Sequence, residues 1–303
     1  MDLSVNNFHA ASYRHYLLFL NDMKATNSVR EIRHSGNYQI AVSMFIVFFC
    51  SCSSTRQTSG NTATGISVNG KLFATVFTQT AAEYRALCFQ AYNQARTRVN
   101  LVAGKNGATG KKLAIVTDID ETILDNSAYA ARQAMLGKEY DLESWIQWTS
   151  EANADTIAGA CSFLKYARSL GVEVFYITNR EERERKGTLD NLRKFGFPDA
   201  DDSHLFLKEN TSSKEGRRNR IRETHEIVLL MGDNLADLSA VFDKKPMDER
   251  HLQVSALAAE FGDKYLILPN CTYGDWEAAL YQYNYKRTAA QKDSIFKANL
   301  RRN

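Results

Sequence analysis

The stretch Leu113-Ala114-Ile115-Val116-Thr117-Asp118-Ile119-Asp120 joins an apolar, β-branched run to two carboxylates that are separated by one residue. A short apolar run that ends in acids is typical of a buried parallel strand, because open α/β sheets bind their ligands at the carboxyl ends of such strands. One of the two acids can attack an electrophile while the other moves a proton. The stretch therefore predicts the first catalytic strand of a parallel sheet.

Three more strand-length apolar runs follow, and each stops at a polar residue. They span residues 172–178, 226–233 and 264–269. Helical patterns cover residues 73–102, 157–169 and 181–195. Strands that alternate with helices predict the α/β class, with a doubly wound parallel sheet.

A segment rich in aromatic residues, at about 125–157, fits no strand of this sheet and follows the first catalytic strand. We expect it to form a small, mostly helical cap over the carboxyl edge of the sheet. Its aromatic side chains, among them Tyr129, Tyr140, Trp145 and Trp148, can form the core of the cap or contact a ligand.

The bulk composition is that of an ordinary globular protein. The 303 residues are 44% hydrophobic and 24% charged, with a formal net charge of +3. This small charge gives no indication of a nucleic-acid polymer as partner. The predicted organisation is an N-terminal extension over residues 1–51, a Ser/Thr/Gly-rich flexible tether over 52–70 and one folded domain over 71–303.

The N-terminal extension has the pattern of a secretion signal. Basic residues precede an apolar run at 40–49 that is too short to span a bilayer but has the length of a signal-peptide core. The sequence around Cys52 resembles a bacterial lipoprotein cleavage site, which makes Cys52 the predicted lipidation site. Cys50 is the alternative, and translation can start at Met1 or at Met23.

Polar groups at four strand ends are expected to converge on one point. These are Asp118 and Asp120, Thr178 and Asn179, Lys214, and Asp233 with Asp237. Two carboxylates at 4 Å repel by about 4 kcal/mol at an effective dielectric constant near 20, so a cation must offset them. Oxygen ligands favour Mg²⁺, and a phosphate group would suit the lysine, the hydroxyl group and nearby backbone N–H groups. The sequence does not decide whether Asp125, Asn126 and Arg180 have a structural or a functional role.

Four motifs together resemble those of a known family. They are Asp-Ile-Asp-Glu-Thr-Ile-Leu-Asp-Asn-Ser from residue 118, Tyr-Ile-Thr-Asn-Arg from 176, the Lys214 segment, and Gly-Asp-Asn-Leu-Ala-Asp from 232. In this order they resemble the haloacid dehalogenase (HAD) superfamily. More closely, they resemble its class C acid phosphatases, which are bacterial outer-membrane lipoprotein phosphatases and 5′-nucleotidases. The similarity extends from about residue 77 to about 285 and implies a HAD-like fold.

The resemblance implies roles in catalysis and metal binding. Asp118 would be the nucleophile that forms an aspartyl-phosphate, and Asp120 would be the general acid and then the general base. Mg²⁺ would contact Asp118, the backbone carbonyl of Asp120, Asp233 directly and Asp237 largely through water.

It also implies how the substrate is held. Thr178, Asn179 and Lys214 would hold the transferring phosphoryl group, while Trp145 and Tyr273 would stack on the ring of the substrate. The family usually has a proline before the glycine of residues 156–159, and this chain has Ala158 there.

The expected function is a Mg²⁺-dependent phosphomonoesterase, an acid phosphatase or 5′-nucleotidase. Its substrates would be nucleoside monophosphates, nicotinamide mononucleotide or a broad range of small phosphorylated metabolites. We expect a lipoprotein of the bacterial cell envelope, held at the outer membrane by its lipid and facing the periplasm or the exterior; a homodimer is left open. The alternatives are a non-catalytic envelope lipoprotein that binds phosphorylated ligands, and a dehalogenase or mutase of the same superfamily.

Overall fold

A computed structural model describes residues 65–103 and 110–302. All described residues belong to one compact unit. The predicted signal peptide, the lipidation site Cys52 and the first part of the tether lie outside the described residues.

Ten α-helices and seven strands are described between residues 65 and 302. In chain order they are α1 Ile66–Thr80, α2 Ala82–Ala103, β1 Lys112–Thr117, β2 Leu124–Asp125, α3 Ser127–Met135, α4 Leu142–Ser150, β3 Asp155–Thr156, α5 Ala160–Ser169, β4 Glu173–Ile177, α6 Arg185–Phe195, β5 Leu205–Phe206, α7 Glu215–Thr224, β6 His225–Gly232, α8 Met247–Ala256, β7 Tyr265–Ile267, α9 Asp275–Leu280 and α10 Ala289–Asn299. Short 3₁₀ turns include Glu182–Glu184 and Leu235–Asp237.

Five strands form one parallel sheet in the order β5-β4-β1-β6-β7. The predicted α/β class with a parallel sheet is confirmed. Strand β1 lies in the centre, and its side chains enter apolar clusters on both faces: Ile115 on one, and Ala114 with Val116 on the other. A strand that is buried on both faces needs apolar residues without alternation, which is why this run is so readable in the sequence.

The segment between β1 and α5 folds as a small separate layer. Strands β2 and β3 pair antiparallel at its base, and helices α3 and α4 lie between them. Its core is aromatic, since Tyr129 packs edge-on against Trp145 at 5.1 Å between ring centroids and also lies against Trp148. This is the segment in which the sequence predicts a cap.

The N-terminal helical pattern is two helices rather than the single predicted one. The chain is extended at Ala81, with ψ of 124°, and separates α1 from α2. The hydroxyl groups of Thr78 and Thr80 donate to the carbonyls of Ala74 and Val76, and such bonds compete with continuation of a helix. Helix α1 begins at Ile66 and therefore within the predicted tether.

The basic C-terminal stretch contains α10, which Thr288 caps through its hydroxyl group. Helix α10 lies beside α1, because Asp293 accepts the backbone N–H of Ile66 at 2.8 Å. Within the described part of the chain, no helix combines the length and the apolar character that a bilayer crossing requires.

Candidate active site

Strand β1 ends at the nucleophile candidate Asp118. The backbone N–H of Asp118 donates to the carbonyl of Met231 on β6 at 2.9 Å, so the ends of the two central strands are joined at this residue. The chain then turns tightly, with Glu121 in the left-handed region at φ of 54°. Asp118 is buried at the carboxyl edge of the sheet, as expected of a ligand-facing residue there.

Three carboxylates meet at this edge. Asp118, Asp233 and Asp237 each have an oxygen within 4.8 Å of the others. The ammonium group of Lys214 forms ion pairs with Asp118 and, at 2.7 Å, with Asp237. Burial raises the pKa of Asp118 to about 7 and that of Asp233 well above its usual range.

The charges of this cluster do not balance within the protein. With all three carboxylates ionised, as ligands of a cation must be, one ammonium group would offset only one of three negative charges. Their all-oxygen donor set is the kind that a hard divalent cation such as Mg²⁺ prefers. Asp233 is held by Asn270, whose amide donates at 2.8 Å, and by the hydroxyl of Thr122 at 3.3 Å. The residues present therefore fit a divalent cation.

Gly232 allows Asp237 to reach this cluster. A Cβ atom on Gly232 would lie 2.2 Å from the Cβ of Asp237, far inside van der Waals contact. Asp237 closes a 3₁₀ turn in which its carboxylate accepts the backbone N–H of Asn234 at 3.0 Å. The glycine at the end of β6 is thus a steric requirement of the site.

The side chain of Asp120 has a different environment. Its carboxylate is outside the three-acid cluster and accepts two hydrogen bonds from Arg180, at 2.7 Å from Nη2 and 3.1 Å from Nε to Oδ1. Asn126 donates to the same oxygen at 2.9 Å, and Thr178 lies 3.4 Å from the other. Arg180 itself is buried, so Asp120 is oriented by a fixed, forked donor.

A buried arginine supports the two predicted phosphate-binding residues on β4. Arg217 of α7 donates to the backbone carbonyl of Thr178 at 2.6 Å and to the side-chain oxygen of Asn179 at 2.8 Å. Thr178 is fully buried, and its hydroxyl accepts the backbone N–H of Arg180 at 3.1 Å. Asn179 and Lys214, which lies one turn before Arg217, line one pocket together with Asp237 of the carboxylate cluster.

A cavity of about 500 Å³ lies between the cap and the sheet edge and includes Asp120, Arg180 and several aromatic residues in its wall. Both predicted ring-stacking residues, Trp145 and Tyr273, line it. Trp145 is only 9% exposed, however, and Tyr140, which is 59% exposed, packs against it at 6.1 Å between centroids. The hydroxyl group of Tyr273 donates to the buried carboxylate of Glu121.

All the predicted catalytic, phosphate-binding and metal-binding residues thus lie around one edge of the sheet. Sequence reasoning missed Asn270, Arg217 and Glu121, and it left Arg180 open. Asn270 directly follows the apolar run at 264–269, so the rule that found the other strand ends could have found it. Arg217 and Glu121 carry no such signal, because one lies in a basic helix and the other depends on a tertiary contact.

Comparisons with known proteins agree with this geometry. The family model of HAD superfamily, subfamily IIIB (acid phosphatase), matches residues 48–276 of this chain. Acid phosphatase 1 of Solanum lycopersicum is 30% identical over 131 residues, which make up 41% of this chain and 51% of that protein. The chain thus spans about half the length of this curated relative.

Solved structures match over more of the chain. The class C acid phosphatase from Bacillus anthracis is 41% identical with a TM-score of 0.75, and the match covers 78% of this chain and 98% of that one. The same protein with tungstate bound gives a TM-score of 0.74 at 41% identity and the same coverage. The chain therefore belongs to subfamily IIIB of the haloacid dehalogenase superfamily, the acid phosphatases.

Proposed function

We propose that this protein hydrolyses phosphomonoesters with the help of a divalent cation, Mg²⁺, through an aspartyl-phosphate on Asp118. The observation that carries the proposal is the pairing of two environments at one sheet edge. Asp118 belongs to a carboxylate cluster with a lysine, whereas Asp120, two residues later, is held apart by Arg180. A protein that only binds phosphate gains nothing from gathering anions around its ligand.

The proposed reaction has two steps. A carboxylate oxygen of Asp118 attacks phosphorus as the ester P–O bond breaks, and Asp120 donates a proton to the departing alcohol oxygen. Asp120 then takes a proton from water as that water attacks phosphorus, so phosphate leaves and Asp118 is regenerated. Lys214, Thr178 and Asn179 would hold the phosphoryl oxygens during both steps.

Asp118, Asp233, Asp237 and the backbone carbonyl of Asp120 would hold the cation. When bound, it would offset the negative charge that the phosphate and the carboxylates bring together. The donor set supports a hard cation, and Mg²⁺ is the choice that the all-oxygen character favours. In line with an anion site, one relative is described with bound tungstate, a tetrahedral oxyanion like phosphate.

We infer that the substrates carry a ring beside the phosphate, as in nucleoside 5′-monophosphates and nicotinamide mononucleotide. The cavity beside Asp120 has aromatic walls, and a stacked ring contributes roughly 1 kcal/mol beyond its burial. Tyr140 and Tyr273 have the exposed rings, and Trp145 backs Tyr140. Tyr140→Ala and Tyr273→Ala should raise KM for nucleotides more than KM for small phosphomonoesters that carry no ring.

The decisive test is hydrolysis of p-nitrophenyl phosphate by the purified full chain, with and without a chelator. We expect activity that the chelator abolishes and that added Mg²⁺ restores. Asp118→Asn should remove turnover while leaving the fold intact by circular dichroism. Saturable binding of nucleotides without any turnover by the wild type would instead identify a binding protein.

We also propose that the chain is a lipoprotein of the bacterial cell envelope, anchored through Cys52. The signal-like N-terminal sequence and the tether composition support this proposal. Metabolic labelling with a fatty-acid probe should modify the wild type and spare Cys52→Ser. Labelling that persists in Cys52→Ser and disappears in Cys50→Ser would move the anchor to the neighbouring cysteine.

A further inference from the structure

Helix α1 has an apolar side that the rest of the described chain leaves largely uncovered. Its opposite face is buried through Ser67, Ala74 and Thr75. Ile66, Gly70, Phe73 and Phe77 follow one another at spacings of four, three and four residues, which places them on one side of the helix. Phe73 is 78% exposed, an unusual state for a phenylalanine on a surface helix.

Neighbouring elements extend this face. Trp276 of α9 and Phe296 of α10 join Ile66, Phe73 and Phe77 around an apolar groove of about 380 Å³. Trp276 is 44% exposed. We call these five residues the apolar face. A continuous apolar surface of this kind marks an interaction site more often than isolated apolar residues do.

The chain beside the apolar face is strongly basic. Residues 286–302 contain Lys286, Arg287, Lys292, Lys297, Arg301 and Arg302 against a single acid, Asp293. Lys297, Arg301 and Arg302 are exposed and lie within six residues of Phe296 along the chain, and Leu300 is 67% exposed. Helix α1 itself carries one charged residue, the basic Lys71.

We propose that the apolar face and these basic residues form a docking surface for a lipid bilayer with anionic headgroups. Aromatic and aliphatic side chains next to lysine and arginine are the combination that inserts shallowly into such an interface. Tryptophan in particular favours the headgroup region. A second copy of this chain is a poorer occupant, because two surfaces with the same excess of positive charge repel each other.

The position of the surface along the chain supports this occupant. Residues 53–64, about twelve residues of tether composition, separate the predicted lipidation site from Gly65. A flexible tether of that length spans roughly 20 Å on average. The apolar face begins at Ile66, so a lipid at Cys52 would keep it close to the membrane, and docking would then fix the orientation of the catalytic cavity.

The test uses the full chain with Cys50→Ser and Cys52→Ser, so that no lipid is attached, and vesicles of phosphatidylcholine with or without phosphatidylglycerol. We expect binding to the mixed vesicles in a sedimentation assay and weaker binding to phosphatidylcholine alone. Phe73→Asp should weaken partitioning by about tenfold or more, since it removes a phenylalanine from the interface. The apolar run at 40–49 is present in every variant and can itself insert into vesicles, so the informative quantity is the difference in binding between variants.

Leu252→Asp is the matched control, because Leu252 is 69% exposed on α8 and outside the apolar face. It should bind as the parent does. Both variants should keep their activity on p-nitrophenyl phosphate, which shows that they are folded. Lys297→Glu combined with Arg301→Glu should weaken binding to the mixed vesicles and abolish their advantage over phosphatidylcholine.

A local readout comes from tryptophan fluorescence with brominated acyl chains as quenchers. Trp145 and Trp148 are buried, so quenching on vesicle binding should report Trp276 and disappear in Trp276→Phe. Binding that Phe73→Asp leaves unchanged, or quenching that Trp276→Phe leaves unchanged, would overturn the proposal. So would an unlipidated parent chain that does not bind vesicles but forms a dimer that Phe73→Asp dissociates, a result that would assign the apolar face to a second copy.

Discussion

Asp118 and Asp120 are both aspartates, two positions apart in the chain. Their different surroundings fit the different roles proposed for them, nucleophile and general acid. Asp118 lies among acids and one lysine, whereas Asp120 accepts a forked pair of hydrogen bonds from Arg180. A proton donor must have a fixed direction as well as a proton, since geometry decides whether transfer can occur. Arg180 is therefore a positioning residue for Asp120.

Arg180→Lys should lower kcat by about tenfold to a hundredfold with little change in KM. Lysine keeps the charge but loses the fork, so Asp120 would no longer be held in one orientation. Steady-state kinetics on p-nitrophenyl phosphate measures the effects on kcat and on KM separately. Arg183→Lys is the control, because Arg183 also binds a carboxylate with two nitrogens, that of exposed Glu143, and should change neither constant. Equal effects of the two variants would contradict the assignment.

Gly232→Ala should lower kcat/KM by about a hundredfold or more. The added methyl group would lie 2.2 Å from Asp237, so either that carboxylate or the end of β6 must move, and displacements of this size are costly in an active site. Gly216→Ala on α7 is the matched control, because its new Cβ meets nothing within 4 Å. It should retain full activity and gain slightly in stability. A fully active Gly232→Ala enzyme would show that catalysis does not need the close approach of Asp237 to Gly232.

Residues that end apolar strands were predictable from sequence, and residues that act through them were not. Asp118 and Asp233 each follow a buried run, and parallel strands bring their carboxyl ends together. Arg217, by contrast, lies in a helix whose composition suggests solvent, and only the folded chain shows it inside, bound to the carbonyl of Thr178. The sequence identifies Trp145 as an aromatic residue of the cap. It does not show that Trp145 is buried behind Tyr140.

At the scale of elements, the sheet was easier to predict than the helices around it. Strand β1 is evident in the sequence because both of its faces are buried, whereas the break between α1 and α2 depends on Ala81, where no glycine or proline interrupts the pattern. Threonine hydroxyls bond to the preceding turn at this end of α1, but Thr75 does the same inside the helix, so such residues do not mark the break in the sequence. The periodicity of apolar residues therefore gives little indication of a helix boundary of this kind.

The other end of the sheet offers a prediction about pH and stability. Glu173 begins β4 and accepts from Lys112 of β1 at 2.8 Å and from His225 of β6 at 2.9 Å. These contacts, with Lys112 foremost, lower the pKa of Glu173. Because the folded pKa is below the unfolded one, the stabilisation is complete above about pH 4.5 and is lost as the pH falls through the folded pKa.

Glu173→Gln should therefore lower the free energy of unfolding by about 1 kcal/mol at neutral pH, and the difference from wild type should shrink as the pH falls below about 4.5. Urea titrations at several pH values measure both quantities. Glu143→Gln is the control, because the Arg183–Glu143 pair is exposed and should contribute little at any pH. A difference that grows on acidification would mean that the folded pKa of Glu173 lies above the unfolded one.

At the scale of the whole molecule, the carboxyl edge of the sheet gathers acidic groups beside the buried core. The ends of β1 and β6, the two strands at the centre of the sheet, bring Asp118 and Asp233 together under the cap. Burial raises the pKa values of both groups, so the metal-free protein holds these acids at a cost. Because of this cost, the stability of the folded protein should depend on the cation that binds at this edge of the sheet.

Mg²⁺ should consequently raise the melting temperature of the full chain, since a ligand that binds only the folded state stabilises it by mass action. At a hundred times its dissociation constant the gain is about 2.7 kcal/mol, or roughly 5 °C or more for a domain of this size. Asp233→Asn should raise the melting temperature without metal, because folding no longer has to bury a carboxylate or to protonate it, and should abolish the Mg²⁺ response. Asp263→Asn, at an exposed ion pair, should leave both quantities as in the wild type. Differential scanning calorimetry with and without chelator distinguishes these cases, and a Mg²⁺ response that survives in Asp233→Asn would place the cation elsewhere.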